Sequence, residues 1–363
     1  MKRVVRVLVT YIVPLILVAV TGSYLINGTS PADLDLMMSS IGKLNYGWVV
    51  VALVTGVLAH VARALRWEVL LRPSGATVPL SSSFNAVMIG YAANAIVPRA
   101  GELARPLVLA QRARIPAETS IGSVVIERVI DVLTLLVGIF MVMTYAQSEL
   151  VTTLLRMRGA SPSTFAAADA QSTITSLFLI LASLAAVVVI VVFTRAGEAI
   201  IGVTLGKVHE KSASSIQGAL HRLRDGLASV RQPRLLMPIT VFTIAIWALY
   251  IVTTWTALTA MPYTATASAG IADATLLLMI LALAVTIAPT PGAIGVYHVA
   301  AQISLVSLFG ATPAEGFVFA MVSWIVNQGA ALLIGGACWI IETRSGVRIR
   351  LFSEPSSMEN HPS

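Results

Sequence analysis

The chain has 363 residues, 57% of them hydrophobic and 11% charged, and its mean hydropathy is +0.86. That composition excludes a soluble surface, a disordered chain and a collagen-like repeat, and it points to lipid. One cysteine, Cys338, excludes a disulfide framework and a Cys-rich metal site. The net charge of +7 is spread between apolar runs and not gathered in one hydrophilic module, so the expected anionic partner is a membrane and not nucleic acid.

A spanning helix needs about 20 apolar residues. Ten runs are candidates: Val7–Ile26, Tyr46–Leu65, Leu80–Val97, Gly101–Gln111, Ala117–Ala146, Ile174–Thr194, Leu235–Thr259, Ser268–Ala288, Gly292–Phe309 and Pro313–Ile341. The predicted fold is an all-α polytopic membrane protein. Gly101–Gln111 is too short to span and carries Glu102 and Arg105, so it reads as a half-helix or re-entrant limb.

The first run follows Lys2, Arg3 and Arg6 and lacks a small-residue cleavage site, so it is expected to be a retained helix. Arg63, Arg66 and Arg72, Arg112 and Arg114, the basic residues from Arg195 to Arg234, and Arg344, Arg348 and Arg350 fall on one side when the N-terminus is inside; Lys43, Arg156 and Arg158 do not. The positive-inside tendency therefore predicts an inner (plasma) membrane protein with both termini cytoplasmic. Six and ten crossings satisfy it equally. Arg63, Arg66 and Trp67 close the second run and read as interfacial anchors. In the loop 195–234, Ile216, Leu220, Leu223, Leu227 and Val230 recur at helical spacing, which suits a helix on the inner leaflet or one resting on its neighbours. Residues 1–352 form one expected membrane domain, and 353–363 a polar tail.

Two stretches share a pattern. Val97-Pro98-Arg99-Ala100-Gly101-Glu102 is followed by Pro116-Ala117-Glu118 and a long helix. Ala288-Pro289-Thr290-Pro291-Gly292-Ala293 is followed by Pro313-Ala314-Glu315 and another. The copies, about 80–146 and 268–341, are separated by two runs while each makes an odd number of crossings, so they are predicted to be inverted repeats. Helices broken at matching places in two halves are the sequence pointer to a transporter with a midplane site. Pro98, Gly101, Pro289, Pro291, Gly292 and Gly295 are expected to shape the tips.

Ionisable residues inside apolar runs cost about 2.5–3.5 kcal/mol each on insertion scales, so they pair or line a cavity. Here they concentrate in the first copy. Glu102 with Arg105, Arg128 with Asp131, and Glu127 with Asp131 share helix faces. Arg99, Arg105 and Arg128 form a candidate anion clamp, with the three carboxylates limiting its charge, and free N–H groups after Pro98 are expected to attract phosphate. Internal salt bridging without a ligand would leave the same pattern. Asn94 either faces this cavity or caps backbone. In the second copy His298 and Gln302 are the polar candidates, His298 as a protonation switch, a headgroup partner or a packing residue. Asp273 needs no function. No protease, hydrolase, P-loop or metal-binding spacing appears, so neither a catalytic residue nor a cofactor or metal is assigned.

At Arg63-Ala64-Leu65-Arg66-Trp67, Asn94 through Pro98-Arg99-Ala100-Gly101-Glu102 to Arg105-Pro106, Glu127-Arg128-Val129-Ile130-Asp131 and Pro289-Thr290-Pro291-Gly292 through Gly295, the chain resembles the lysylphosphatidylglycerol synthase transmembrane family, flippase-like integral membrane proteins. The resemblance runs from about Arg63 to Glu342 and implies movement of a phospholipid or lipid-linked headgroup between leaflets. Some members carry a soluble aminoacyl-transfer domain that is not expected here, which removes synthase activity from the implication and leaves a separate lipid synthase as a possible partner. The family often shows an acidic residue where this chain has His298. A transferase acting on a lipid-linked substrate and a scaffold for a synthase are the competing readings.

Overall fold

The computed structural model describes residues 31–145, 232–263, 266, 268–288 and 290–345, with eight scattered helical residues between Ser172 and Ala186. The run Val7–Ile26, Arg156 and Arg158, Pro289, the loop 195–231 and the tail 353–363 lie outside the described residues. Those described form helices and turns, with no strand among them. This is what hydrocarbon requires, since a helix satisfies its backbone polar groups internally.

The helices follow the apolar runs closely. They are α1 (Pro31–Gly42), α2 (Tyr46–Leu71), α3 (Leu80–Ile96), α4 (Gly101–Ala113), α5 (Ala117–Tyr145), α6 (Pro233–Thr259), α7 (Ile271–Ile287), α8 (Val296–Phe309), α9 (Pro313–Trp324) and α10 (Ala330–Arg344). A π turn, Ile325–Gly329, joins α9 to α10 without a break. Four helical stretches, Tyr46–Ser74, Pro233–Thr259, Pro291–Phe309 and Pro313–Arg344, are long and apolar enough to cross a membrane. Helix α1 was not anticipated, because Asp33, Asp35 and two serines dilute its apolar character.

Among the described residues three apolar clusters form; the smallest packs α5 on α7 through Leu135, Ile139, Leu276 and Met279, and the two larger ones organise the helices. One joins α2, α3, α4 and α5 with the start of α6 and with α10, around Trp67, Met88, Leu109 and Ile126. The other joins the start of α2 and the end of α6 with α7, α8 and α9, around Leu258, Leu277, Leu305 and Phe319. Helices α2 and α6 pack along one another and run through both.

Each of the two stretches with similar sequence folds as a helix, a broken tip, a shorter helix and a long helix. In the first tip Arg99 takes a left-handed backbone (φ 63°) directly after Pro98; in the second two left-handed residues, Gly292 (φ 58°) and Ala293 (φ 57°), follow Pro291. A left-handed turn after a proline reverses the chain in both, at no steric cost for Gly292 and at some cost for Arg99 and Ala293. The tips also meet. Arg99 Nη2 donates to the Thr286 carbonyl at 3.4 Å, and a Cβ on Gly292 would stand 3.7 Å from Ala95 Cα.

Glycine permits the tightest contact in the first hairpin. A Cβ at Gly101 would collide with the Gly90 carbonyl, so α3 and α4 approach backbone to backbone, as small residues allow in membranes.

Candidate functional site

Helix α2 continues to Leu71, two turns past the end read from hydropathy, because Val69, Leu70 and Leu71 are buried in the first core. This places Arg63, Arg66 and Trp67 inside the protein. They are not interfacial anchors: Arg66 and Trp67 have no exposed surface, and Arg63 is buried. Arg63 and Arg66 lie three apart on α2 and face α5, where Glu127 and Asp131 lie four apart and face back.

A compact ion cluster results. Glu127, fully buried, accepts from Arg63 Nη1 at 2.7 Å and from Arg105 Nη1 at 3.1 Å through one oxygen, Oε1. That oxygen also lies 3.5 Å from nitrogens of Arg66 and Arg128. Asp131 accepts from Arg66 Nη2 at 2.6 Å through one oxygen and from Arg63 Nη1 at 3.1 Å through the other. Helix α6 closes the far side, with Thr243 accepting from Arg66 and Tyr250 from Arg63. The Arg105 guanidinium lies 5.2 Å from the centre of the Trp67 ring, and the indole N–H donates to Ser123.

Glu102 and Arg128 form the accessible edge of the cluster, their side chains 33% and 41% exposed. Glu102 Oε2 is 3.2 Å from Arg128 Nε and 3.8 Å from Arg105 Nη2, but neither contact has hydrogen-bond geometry. Both nitrogens are therefore buried donors without a hydrogen-bond partner among the described residues. Four arginines against three carboxylates leave the cluster one positive charge.

The other anticipated residues take different places. Asn94 caps α4, its Oδ1 accepting from Gly101 N at 2.7 Å. The next N–H groups turn inward, Glu102 N to the Arg99 carbonyl and Leu103 N and Ala104 N to that of Ala100. The expectation of free N–H groups at this helix start is therefore corrected: cap and turn already satisfy them. Arg99 stands apart from Arg105 and Arg128, exposed at the tip, with no carboxylate of the described residues in ion-pair range. The partner of Arg105 and Arg128 in the cluster is the Arg63–Arg66 pair.

In the second copy His298 is buried beside the Trp324 ring, centroids 5.6 Å apart, and its Nδ1 has no partner among the described residues. The Gln302 amide donates to the Pro313 carbonyl at 2.8 Å, tying α8 to α9. Pro291 and Gly292 form the tip turn, Gly295 (φ 86°) precedes α8, and Trp324 Nε1 donates to the Gly292 carbonyl at 2.8 Å. Asp273 accepts from Gly270 N at 2.8 Å and caps α7.

The site residues that the sequence reading did not assign are Arg63, Arg66, Thr243 and Tyr250. For the arginines a signal existed: two guanidiniums one turn apart, followed by a further apolar run. For Tyr250 none did, since its partner lies 187 positions away.

The family profile described as the lysylphosphatidylglycerol synthase TM region matches residues 4–335. A protein of Haloferax volcanii named glycosyltransferase AglD is 24% identical over 315 residues, which are 84% of this chain and 50% of that protein. The chain thus spans about half the length of that relative. No solved structure matches the chain. With an apolar helical framework of membrane-crossing length and a family match along nearly all of its sequence, this integral membrane protein belongs to the lysylphosphatidylglycerol synthase TM region family.

Proposed function

We propose that the protein translocates a phosphate-bearing lipid or lipid-linked headgroup between leaflets, and that the ion cluster of α2, α4 and α5 is where the phosphate is held. The observation that carries this reading is a net-positive cluster with a partly exposed edge, Glu102 and Arg128, beneath which buried arginine donors have no hydrogen-bond partner among the described residues. A cluster that served only to hold helices together would gain from pairing every donor, because an unmet buried donor costs about 1–3 kcal/mol. Guanidinium forks match phosphate oxygens in geometry and charge.

In this reading residues 1–352 are one membrane domain with inverted repeats at about 80–146 and 268–341, and the broken hairpins enter from opposite faces. The contact between their tips, Arg99 with Thr286 and Gly292 with Ala95, supports it, as does the same order of elements in each copy. Arg105 and Arg128 hold the phosphate, Arg63, Arg66, Glu127 and Asp131 fix their positions, and Arg99 meets the headgroup at the tips. His298, and Gln302 on the same helix, belong to the opposite wall. Acyl chains remain in lipid, and rocking of one repeat against the other changes the exposed leaflet.

The test is movement of an acyl-labelled phospholipid in proteoliposomes. Arg128→Gln removes a half-exposed fork without emptying the core, and its rate is expected to fall at least about tenfold with folded protein retained. An unchanged rate rejects the assignment.

A second reading draws on the name of the Haloferax volcanii relative: transfer of a sugar from or to a lipid-linked substrate, with Glu102 as the accessible base. A new covalent product from purified protein and polyprenyl-phosphate sugar would establish it over translocation.

A further inference from the structure

The charge count at the cluster limits what can enter it. Arg63, Arg66, Arg105 and Arg128 face Glu102, Glu127 and Asp131, every one of them within 4 Å of an opposite charge. Counting His60 as neutral, the surplus is one positive charge. Three of the pairings are deep and short: Arg63 with Glu127, Arg66 with Asp131 and Arg105 with Glu127. Those at the edge, at 3.2 and 3.8 Å, lack hydrogen-bond geometry. Arg105 Nη2 and Arg128 Nε both lie within 4 Å of Glu102 Oε2 without hydrogen-bonding it, so two forks share one oxygen as their ion partner at this edge.

We infer that this edge accepts one negative charge, that its cargo is accordingly a phosphodiester headgroup in preference to a phosphomonoester or diphosphate, and that Glu102 sets the limit. The inference rests on the translocator reading and names the substrate class of the same site. A phosphate oxygen entering beside Glu102 meets the two N–H groups that Glu102 leaves without a hydrogen bond, and a monoanion brings the cluster to neutrality. A dianion leaves one uncompensated negative charge in a largely buried setting, which is heavily penalised. Glu102 lies one turn from Arg105 on α4, which keeps its charge beside that guanidinium. It therefore discriminates by repulsion, rejecting the second charge while the arginines attract the first.

Proteoliposomes at about pH 9 separate the classes, since a phosphomonoester there is far above its second ionisation near pH 6. Phosphatidylglycerol and phosphatidic acid carrying the same labelled acyl chain are compared in one preparation. Wild-type protein is expected to move the phosphodiester at least about tenfold faster. Glu102→Gln is expected to reduce that ratio to about threefold or less, and Glu102→Asp to retain it. Equal rates for the two lipids in wild type, or a ratio unchanged in Glu102→Gln, overturn the charge limit while translocation stands. Movement of neither lipid by folded wild-type protein overturns the translocator reading and the limit together. The wild-type comparison decides the matter by itself if Glu102→Gln does not fold.

Discussion

Glu127→Gln tests the electrostatic account most directly, because it removes one charge from the centre of the cluster and little else. The amide keeps an oxygen to receive Arg63 and Arg105, while the oxygen replaced by nitrogen, Oε2, has no hydrogen-bond partner among the described residues. The carboxylate lies 2.7, 3.1, 3.5 and 3.5 Å from nitrogens of four arginines. At an effective dielectric of about 20 these contacts amount to about 6 kcal/mol for the first and about 5 kcal/mol for each of the others. Against that gross attraction stand the cost of desolvating the carboxylate and its repulsion by Asp131, both relieved in the variant. The net loss expected is about 3–5 kcal/mol, the range for breaking a buried ion pair on one side.

Thermal unfolding in detergent measures it, with a melting temperature lower by roughly 5–10 °C. Arg105→Gln supplies the second arm of a cycle. The double variant restores a surplus of one positive charge, so it should be more stable than the sum of the single losses by about 1–3 kcal/mol. A Glu127→Gln protein melting within about 1 °C of wild type, or losses that simply add, would refute the view that this carboxylate organises the arginines.

Three further outcomes follow from local geometry. Gly101→Ala drives a methyl group into the Gly90 carbonyl and should separate α3 from α4, costing at least about 2 kcal/mol and most of the folded yield in size-exclusion profiles. Asn94→Ala uncovers the Gly101 N–H and should lower unfolding stability by about 1 kcal/mol. Arg99→Gly relieves a left-handed backbone and should raise the melting temperature, by the equivalent of about 1 kcal/mol, while slowing lipid movement if the side chain meets the headgroup; a lower melting temperature contradicts the strain argument.

The helical framework was legible because apolar run length maps onto hydrocarbon thickness, and because Pro98 and Gly292 punctuate the chain where it turns. Glu127, Arg128 and Asp131 were likewise recognised as sharing faces of one helix. Their partners were not, since Arg63 lies 64 positions from Glu127 and only tertiary packing joins them. Hydropathy also stopped α2 at Leu65, which turned two cluster arginines into apparent anchors. The anion site expected at the start of α4 failed for a local reason. Asn94, seven residues upstream, supplies the cap, and a carbonyl-rich turn uses the remaining donors.

In the inverted-repeat reading proposed above, the two stretches differ most where they correspond. Aligned on Pro-Ala-Glu, Glu127 of the first falls on Trp324 of the second, and Asp131 on Gln328 within the π turn. In the first copy the long helix binds its neighbours through charged side chains. In the second it does so through an indole N–H on the Gly292 carbonyl, with Asn327 bonding its own helix at the Ser323 carbonyl. Attraction for an anion is thus concentrated on one side of the meeting tips, and the other side is polar without charge. For a translocator this asymmetry is useful: a phosphate held by matching charged sites in both halves would be pulled from both sides, deepening the bound state and slowing release. A single charged half lets the uncharged half part from the headgroup without breaking an ion pair. The motion of one repeat against the other then costs hydrogen bonds and apolar contact, quantities of about 1 kcal/mol apiece, instead of the several that separating buried opposite charges requires.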